Sequence, residues 1–221
     1  MSIKEKIVEW LRELIDKNRQ VEVLSFYDEV PIRVKVKPLS IENKFVQWEI
    51  DPKLRLAVED TGKIFTQFFD PEYKQKRSLE GNVIYFNNKF LETDMLNIST
   101  DPRLSRKILR VKISDSCPVE VFIVNNGRKE KVKAWDISED GIGLILPKNC
   151  VDYNEKINLE LIFPFGRIKT QGIVVSKQPF QDGEKVGLFF PNLSPKEKDL
   201  IYRYIMKRQK EILKTIRLLT E

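Results

Sequence analysis

Hydrophobic positions near the N-terminus fall at helical spacing. Ile3, Ile7, Leu11, Leu14 and Ile15 make one apolar stripe, the pattern of an amphipathic helix. Ser2-Ile3-Lys4-Glu5 in front of it reads as a capping box, in which serine and glutamate each satisfy the other's backbone N–H. A helix is therefore predicted to run to about Lys17, lying on its own domain. The near-heptad stripe also allows the other reading, a helix for a partner.

From Gln20 to about Leu96 the period changes to two. Val21–Leu24, Ile32–Val36, Phe45–Ile50, Lys63–Phe68 and Asn82–Phe86 alternate or nearly alternate, and Asp51-Pro52, Thr61-Gly62 and Asp70-Pro71 stand between several of them as turns. Many short strands with regular turns predict a small sandwich or barrel. The polar segment Asn97–Pro102 marks a boundary, so the expected domains are residues 1–97 and 98–221.

The second half repeats the strand pattern. Ile108–Ile113 comes first. Val119–Val124 then faces Lys131–Ile137 across Asn125-Asn126-Gly127, and Asn-Gly is a strong hairpin signal. Ile142–Leu146, Ile157–Phe163, Ile168–Val175 and Val186–Phe190 follow, with Gly172 suggesting a bulge or bend. Ser194, Pro195 and Glu197 form a second capping box. It opens a long helix whose apolar side carries Leu200, Ile201, Tyr204, Ile205, Ile212, Leu213 and Ile216. Its basic side carries Lys207, Arg208, Lys210, Lys214 and Arg217, read as a solvated face. The expected fold is mainly β: two small β-barrel domains with an N-terminal helix and a long C-terminal helix.

Composition narrows the function. The chain has no histidine, which removes the commonest general base and metal ligand, so an enzyme is not expected. Two cysteines, Cys117 and Cys150, are too few for a disulfide framework or a metal cluster. No stretch approaches ~18 uninterrupted apolar residues and no secretion signal opens the chain, so a cytoplasmic location is expected. Residues 1–95 hold 16 Lys/Arg against 17 Asp/Glu, while the remainder holds 23 against 16. The second half is thus the one suited to an anionic partner.

Two constellations in that half carry candidate chemistry. Arg106 and Arg110 lie four apart just before and entering the first strand, and Asp136-x-Ser138 with Gly141 closes a later one. Arginine forks grip phosphates, and they also grip the O6/N7 edge of guanine. A carboxylate suits guanine's N1–H and N2–H donors. Asp136 and Ser138, two apart on a strand, share a face, and Gly141 lets a ligand or backbone approach closely. Read singly, the arginines are surface charges and the second motif is an Asx-type turn closing a strand. The pair is more specific than either part.

Together, over residues 101–210, these motifs resemble the PilZ domain family of cyclic di-GMP receptors. So do Ile142-Gly143-Leu144, Gly187-Leu188-Phe189 and the trailing helix. The resemblance implies a six-stranded barrel. It also implies a cyclic di-GMP site in which Arg106 and Arg110 take phosphates and guanine faces, Asp136 and Ser138 bond a guanine edge or phosphate, and Gly141 permits the turn. The residue before the first arginine bears on ligand number. It is Ser105 here, where the family often has arginine, so stoichiometry stays open.

The layout of a β-domain ahead of a PilZ domain is similar to that of the flagellar brake proteins. It implies a protein partner in the flagellar motor or other surface-structure machinery. In that picture ligand orders the interdomain segment and reorients the domains. Two alternatives stand: a PilZ-like adaptor that works without nucleotide, and a nucleic-acid-binding barrel. The aromatic candidates for the latter, Trp135, Phe163 and Phe165, read instead as strand or turn core residues.

Overall fold

The computed structural model describes residues 2–220; Met1 and Glu221 lie outside the described residues. Helix α1 (Ile3–Asp16) opens with the expected capping box. Glu5 N–H donates to Ser2 Oγ at 3.3 Å and Ser2 N–H donates to the Glu5 carboxylate at 2.7 Å. Ile7 and Leu11 are fully buried in the core of the first unit, so the helix lies on its own domain. Lys6 follows them inward and pairs with Asp70 at 3.2 Å and with Glu72.

The chain then forms β1 (Val21–Tyr27), β2 (Val30–Val36), β3 (Pro38–Glu42) and β4 (Phe45–Glu49). After helix α2 (Pro52–Thr61) come β5 (Lys63–Asp70), β6 (Gln75–Phe86), β7 (Phe90–Asp94) and the short β8 (Asn97–Ile98). The sheet runs β2-β1-β5-β6-β7-β4-β3, with β8 added to β6. It is a curled half-barrel whose end strands, β2 and β3, follow one another in the chain across Lys37. Trp48, Leu54, Ile64, Leu79 and Leu91 fill its concave side.

Helix α2 occupies a stretch that the pattern presents only as two turns. Asp51-Pro52 is its N-terminal cap: Asp51 Oδ1 accepts from the N–H groups of Lys53 and Leu54 at 2.8 and 3.3 Å. Gly62 is its C-terminal cap at a left-handed φ of 63°. Both dipeptides serve turns and helix ends alike, and the burial of Leu54, Ala57 and Val58 selects the helix.

After β8, Asp101 caps a single 3-10 turn, Pro102–Ser105. Arg103 folds back on it, with Nε and Nη2 at 3.0 and 2.8 Å from the two Asp101 oxygens. Its guanidinium lies over the rings of Phe26 and Phe65, 4.7 and 5.5 Å from their centroids. The chain divides into two compact units between Arg106 and Lys107, the first also taking the last turns of the C-terminal helix from Thr215.

The second unit contains β9 (Arg110–Lys112), β10 (Glu120–Asn125), β11 (Arg128–Ser138) and β12 (Gly141–Pro147). It continues with β13 (Lys156–Phe163), β14 (Gly166–Phe180), β15 (Gly183–Phe189) and helix α3 (Pro195–Thr220). The order β10-β13-β14-β15-β12-β11 closes into a six-stranded barrel because β10 also pairs with β11, and β9 adds to the far side of β11. Asn126 and Gly127, at φ 49° and 79°, make the β10–β11 hairpin turn, whose left-handed residues match strand twist.

Gly172 departs from expectation. It sits in regular pairing opposite Ile157, and the irregularity of β14 falls at Val175 instead. A Cβ on Gly172 would crowd Leu188 and Leu159 at 3.1 and 3.2 Å, so glycine serves packing there.

Helix α3 begins with its capping box, Ser194 N–H donating to Glu197 at 2.7 Å. Ile201 and Tyr204 are fully buried. The Tyr204 hydroxyl donates to the Cys117 carbonyl at 2.6 Å. Burial pushes its phenol above the ordinary value, so it remains a donor. Arg208 corrects the reading of the basic side as uniformly solvated. It is 4% exposed, donates from Nε to the Lys112 carbonyl at 3.2 Å and pairs with Glu211 at 2.7 Å. A guanidinium satisfies a carbonyl and a carboxylate at once, which a buried lysine would do less well.

Candidate functional site

The strand register of the second unit assembles four of the five predicted site residues. Ser138 ends β11, lies opposite Arg110 across the β9 pairing, and lies opposite Gly141 across the β12 pairing. Residues directly opposite in an antiparallel pair project from the same face. Asp136, two residues earlier on β11, shares that face. Glu139-Asp140 is then simply the two-residue loop of the β11–β12 hairpin, and Ser138 Oγ donates to the Gly141 carbonyl at 3.3 Å. The spacing of Asp136, Ser138 and Gly141 is therefore both a turn and a cluster of candidate ligands; the two readings coincide.

Asp136 is fully buried and its carboxylate is shared between two cations. Arg110 Nη1 stands 3.5 Å from Oδ1 and Lys185 Nζ stands 2.5 Å from Oδ2. A desolvated carboxylate needs such partners. Gly141 has a packing reason of its own. A Cβ there would lie 2.3 Å from the Leu188 carbonyl oxygen, where β12 and β15 run together.

The register slips between Ala134 and Asp136. Trp135 at this bulge is half-buried and so does not belong to the barrel core. Its ring meets Phe180 edge-on at 4.7 Å, and the ammonium groups of Lys112 and Lys185 lie 4.9 and 5.6 Å from its centroid. The other two aromatics fit expectation: Phe163 is buried against Tyr204 and the neighbouring Phe165 carries Arg203 over its ring. Lys112, Lys185 and Trp135 are the neighbours that the motifs do not announce. Lys112 has a faint signal, two residues after Arg110 on the same strand; Lys185 has none.

The fifth predicted residue, Arg106, is placed with the first unit, where its Nη1 donates to Glu29 Oε2 at 2.6 Å. Arg106 and Arg110 thus have different partners in this structure. Among the described residues, no group of acidic, histidine or cysteine side chains is arranged to hold a metal ion, and no helix is long and apolar enough to cross a membrane.

Residues 104–207 match the PilZ domain family, a span that includes both motifs, the barrel and the first half of α3. An uncharacterized protein of Aquifex aeolicus is 32% identical over 120 residues, 54% of this chain and 58% of that protein. The solved complex of MrkH from K. pneumonia with c-di-GMP matches over 96% of both chains at 13% identity and a TM-score of 0.50. YcgR from Escherichia coli, also solved with c-di-GMP, matches over 98% of this chain and 95% of that one at 13% identity and a TM-score of 0.49. The family match is thus carried by residues 104–207, which are similar to the PilZ domain.

Proposed function

We propose that the chain is a cyclic di-GMP receptor whose site comprises Arg110, Asp136, Ser138 and Gly141, joined by Arg106. The observation that supports this most is the register that sets Arg110 across from Ser138, with Asp136 next along the same face. Both motifs are complete, and each side chain has the chemistry that the ligand needs. Arginine grips phosphate or the guanine O6/N7 edge, and the carboxylate accepts from guanine N1–H and N2–H. The hairpin held by Gly141 keeps Ser138 beside them. This makes the protein a binding module, acting in the cytoplasm on a protein partner in motility or another surface process.

Signalling in this reading is an exchange of partners. Arg106 leaves Glu29 for the ligand, the segment from Asp101 to Arg110 reorganises, and the domains change their relation. The ligand drives the change only by the better contacts it makes in the second state.

Titration calorimetry with cyclic di-GMP at near-physiological salt tests the receptor reading, with the Arg106→Ala/Arg110→Ala double variant alongside. Micromolar or tighter binding that the variant loses is expected. A folded wild type that takes up no ligand would overturn the proposal in favour of a nucleotide-independent adaptor. Small-angle scattering with and without saturating ligand tests the rearrangement, and identical profiles would refute it.

A further inference from the structure

We infer that Lys185 is a further basic contact of the proposed dinucleotide site, and that its ammonium, paired with Asp136 in this structure, takes a ligand phosphate on binding. The inference rests on the receptor reading. Asp136, Gly143 and Gly187 lie in line across β11, β12 and β15. Lys185 is two residues from Gly187 and so projects from the same face. The two glycines leave no side chain between Asp136 and Lys185, and the ammonium crosses that gap to Oδ2. Room is tight: a Cβ on Gly143 would stand 2.8 Å from Asp136 Oδ1.

The Lys185 side chain is 18% exposed, an unusual place for a lysine that only decorates a surface. Glu184 beside it is engaged elsewhere, with Lys177 at 3.4 Å and the Asn149 N–H at 3.1 Å. One carboxylate shared between Arg110 and Lys185 leaves one positive charge over. When Asp136 turns its oxygens to a guanine edge, it gives up part of its hold on the ammonium. A lysine ammonium is a compact point charge on a flexible stem, able to move from one oxyanion to another. The phosphates are the anions that a cyclic dinucleotide brings to that place.

The experiment compares wild type, Lys185→Met and Lys185→Arg by titration calorimetry with cyclic di-GMP at two salt concentrations, with phosphorus-31 spectra of the bound ligand. Melting temperatures establish that each variant is folded. Lys185→Met is expected to weaken binding ten-fold or more, to flatten its salt dependence and to move a ligand phosphorus resonance, while Lys185→Arg recovers most of the affinity. Unchanged affinity in Lys185→Met would overturn the inference. Phosphorus resonances unmoved by Lys185→Met would also overturn it, leaving Lys185 as a counter-ion to Asp136. Failure of the wild type to bind at all is a distinct outcome that removes the receptor reading itself.

Discussion

Arg106 donates to Glu29 at 2.6 Å at the tip of the β1–β2 hairpin, where Glu29 holds a left-handed φ of 68°. The two side chains are only 23% and 15% exposed, so this contact is shielded from solvent, and it occupies an arginine that the proposed site requires. Any ligand that recruits Arg106 must first displace Glu29. A partly exposed ion pair contributes about 0.5–1 kcal/mol. Glu29→Gln is therefore expected to tighten cyclic di-GMP binding about two- to five-fold. Calorimetry reads this directly, and an unchanged affinity would mean that the pair does not compete with the ligand.

Gly141→Ala tests whether the hairpin glycine is demanded by packing. The added methyl would meet the Leu188 carbonyl oxygen at 2.3 Å, and backbone cannot yield as a side-chain tip can. Overpacking of this kind costs about 1–3 kcal/mol, a fall in melting temperature of roughly 2–12 °C for a chain of this size. A variant that melts with the wild type would show that β12 and β15 can part at no cost.

Tyr204→Phe isolates one buried hydrogen bond between α3 and the barrel. It leaves the Cys117 carbonyl without the hydroxyl now 2.6 Å away and keeps the ring on Phe163. A loss of about 1–2 kcal/mol is expected, measurable by urea unfolding. A smaller change would mean that water enters to satisfy the carbonyl.

Acid should weaken the first unit through Asp70. Burial alone would push its carboxyl up, but Lys6 and Arg77, the latter at 3.0 Å, outweigh burial and hold it below the ordinary carboxylate value. A folded pKa below the unfolded one means that the stabilisation is present above about pH 4 and is lost as pH falls through the folded pKa. Urea unfolding should find wild type more stable than Asp70→Asn at pH 7, with the gap closing below about pH 4. A gap that does not shrink at all as pH falls below about 4 would remove the charge from the explanation.

Features set by neighbours in the chain were legible beforehand. The capping boxes of Ser2/Glu5 and Ser194/Glu197 and the Asn126-Gly127 turn each involve residues at most three apart, and their backbone demands are written in residue type. The Asp136–Gly141 spacing was legible for the same reason, since one hairpin contains it. Helix α2 was not, because Asp-Pro and Thr-Gly serve turns and helix ends equally and only packing of Leu54 on the core separates the two.

The sequence by itself determined where the first and last helices begin, how the barrel hairpin turns, and which motif residues carry arginine, carboxylate and hydroxyl chemistry. Tertiary structure decided their partners. Lys185 reaches Asp136 across 49 positions and two bare glycines. Arg208 turns inward to Lys112 across 96 positions, and Arg106 holds Glu29 across 77. Such pairs arise when strand register and barrel closure bring distant segments together. A charge that reads as a solvated surface in the sequence becomes a buried counter-ion when no water is left to satisfy its partner.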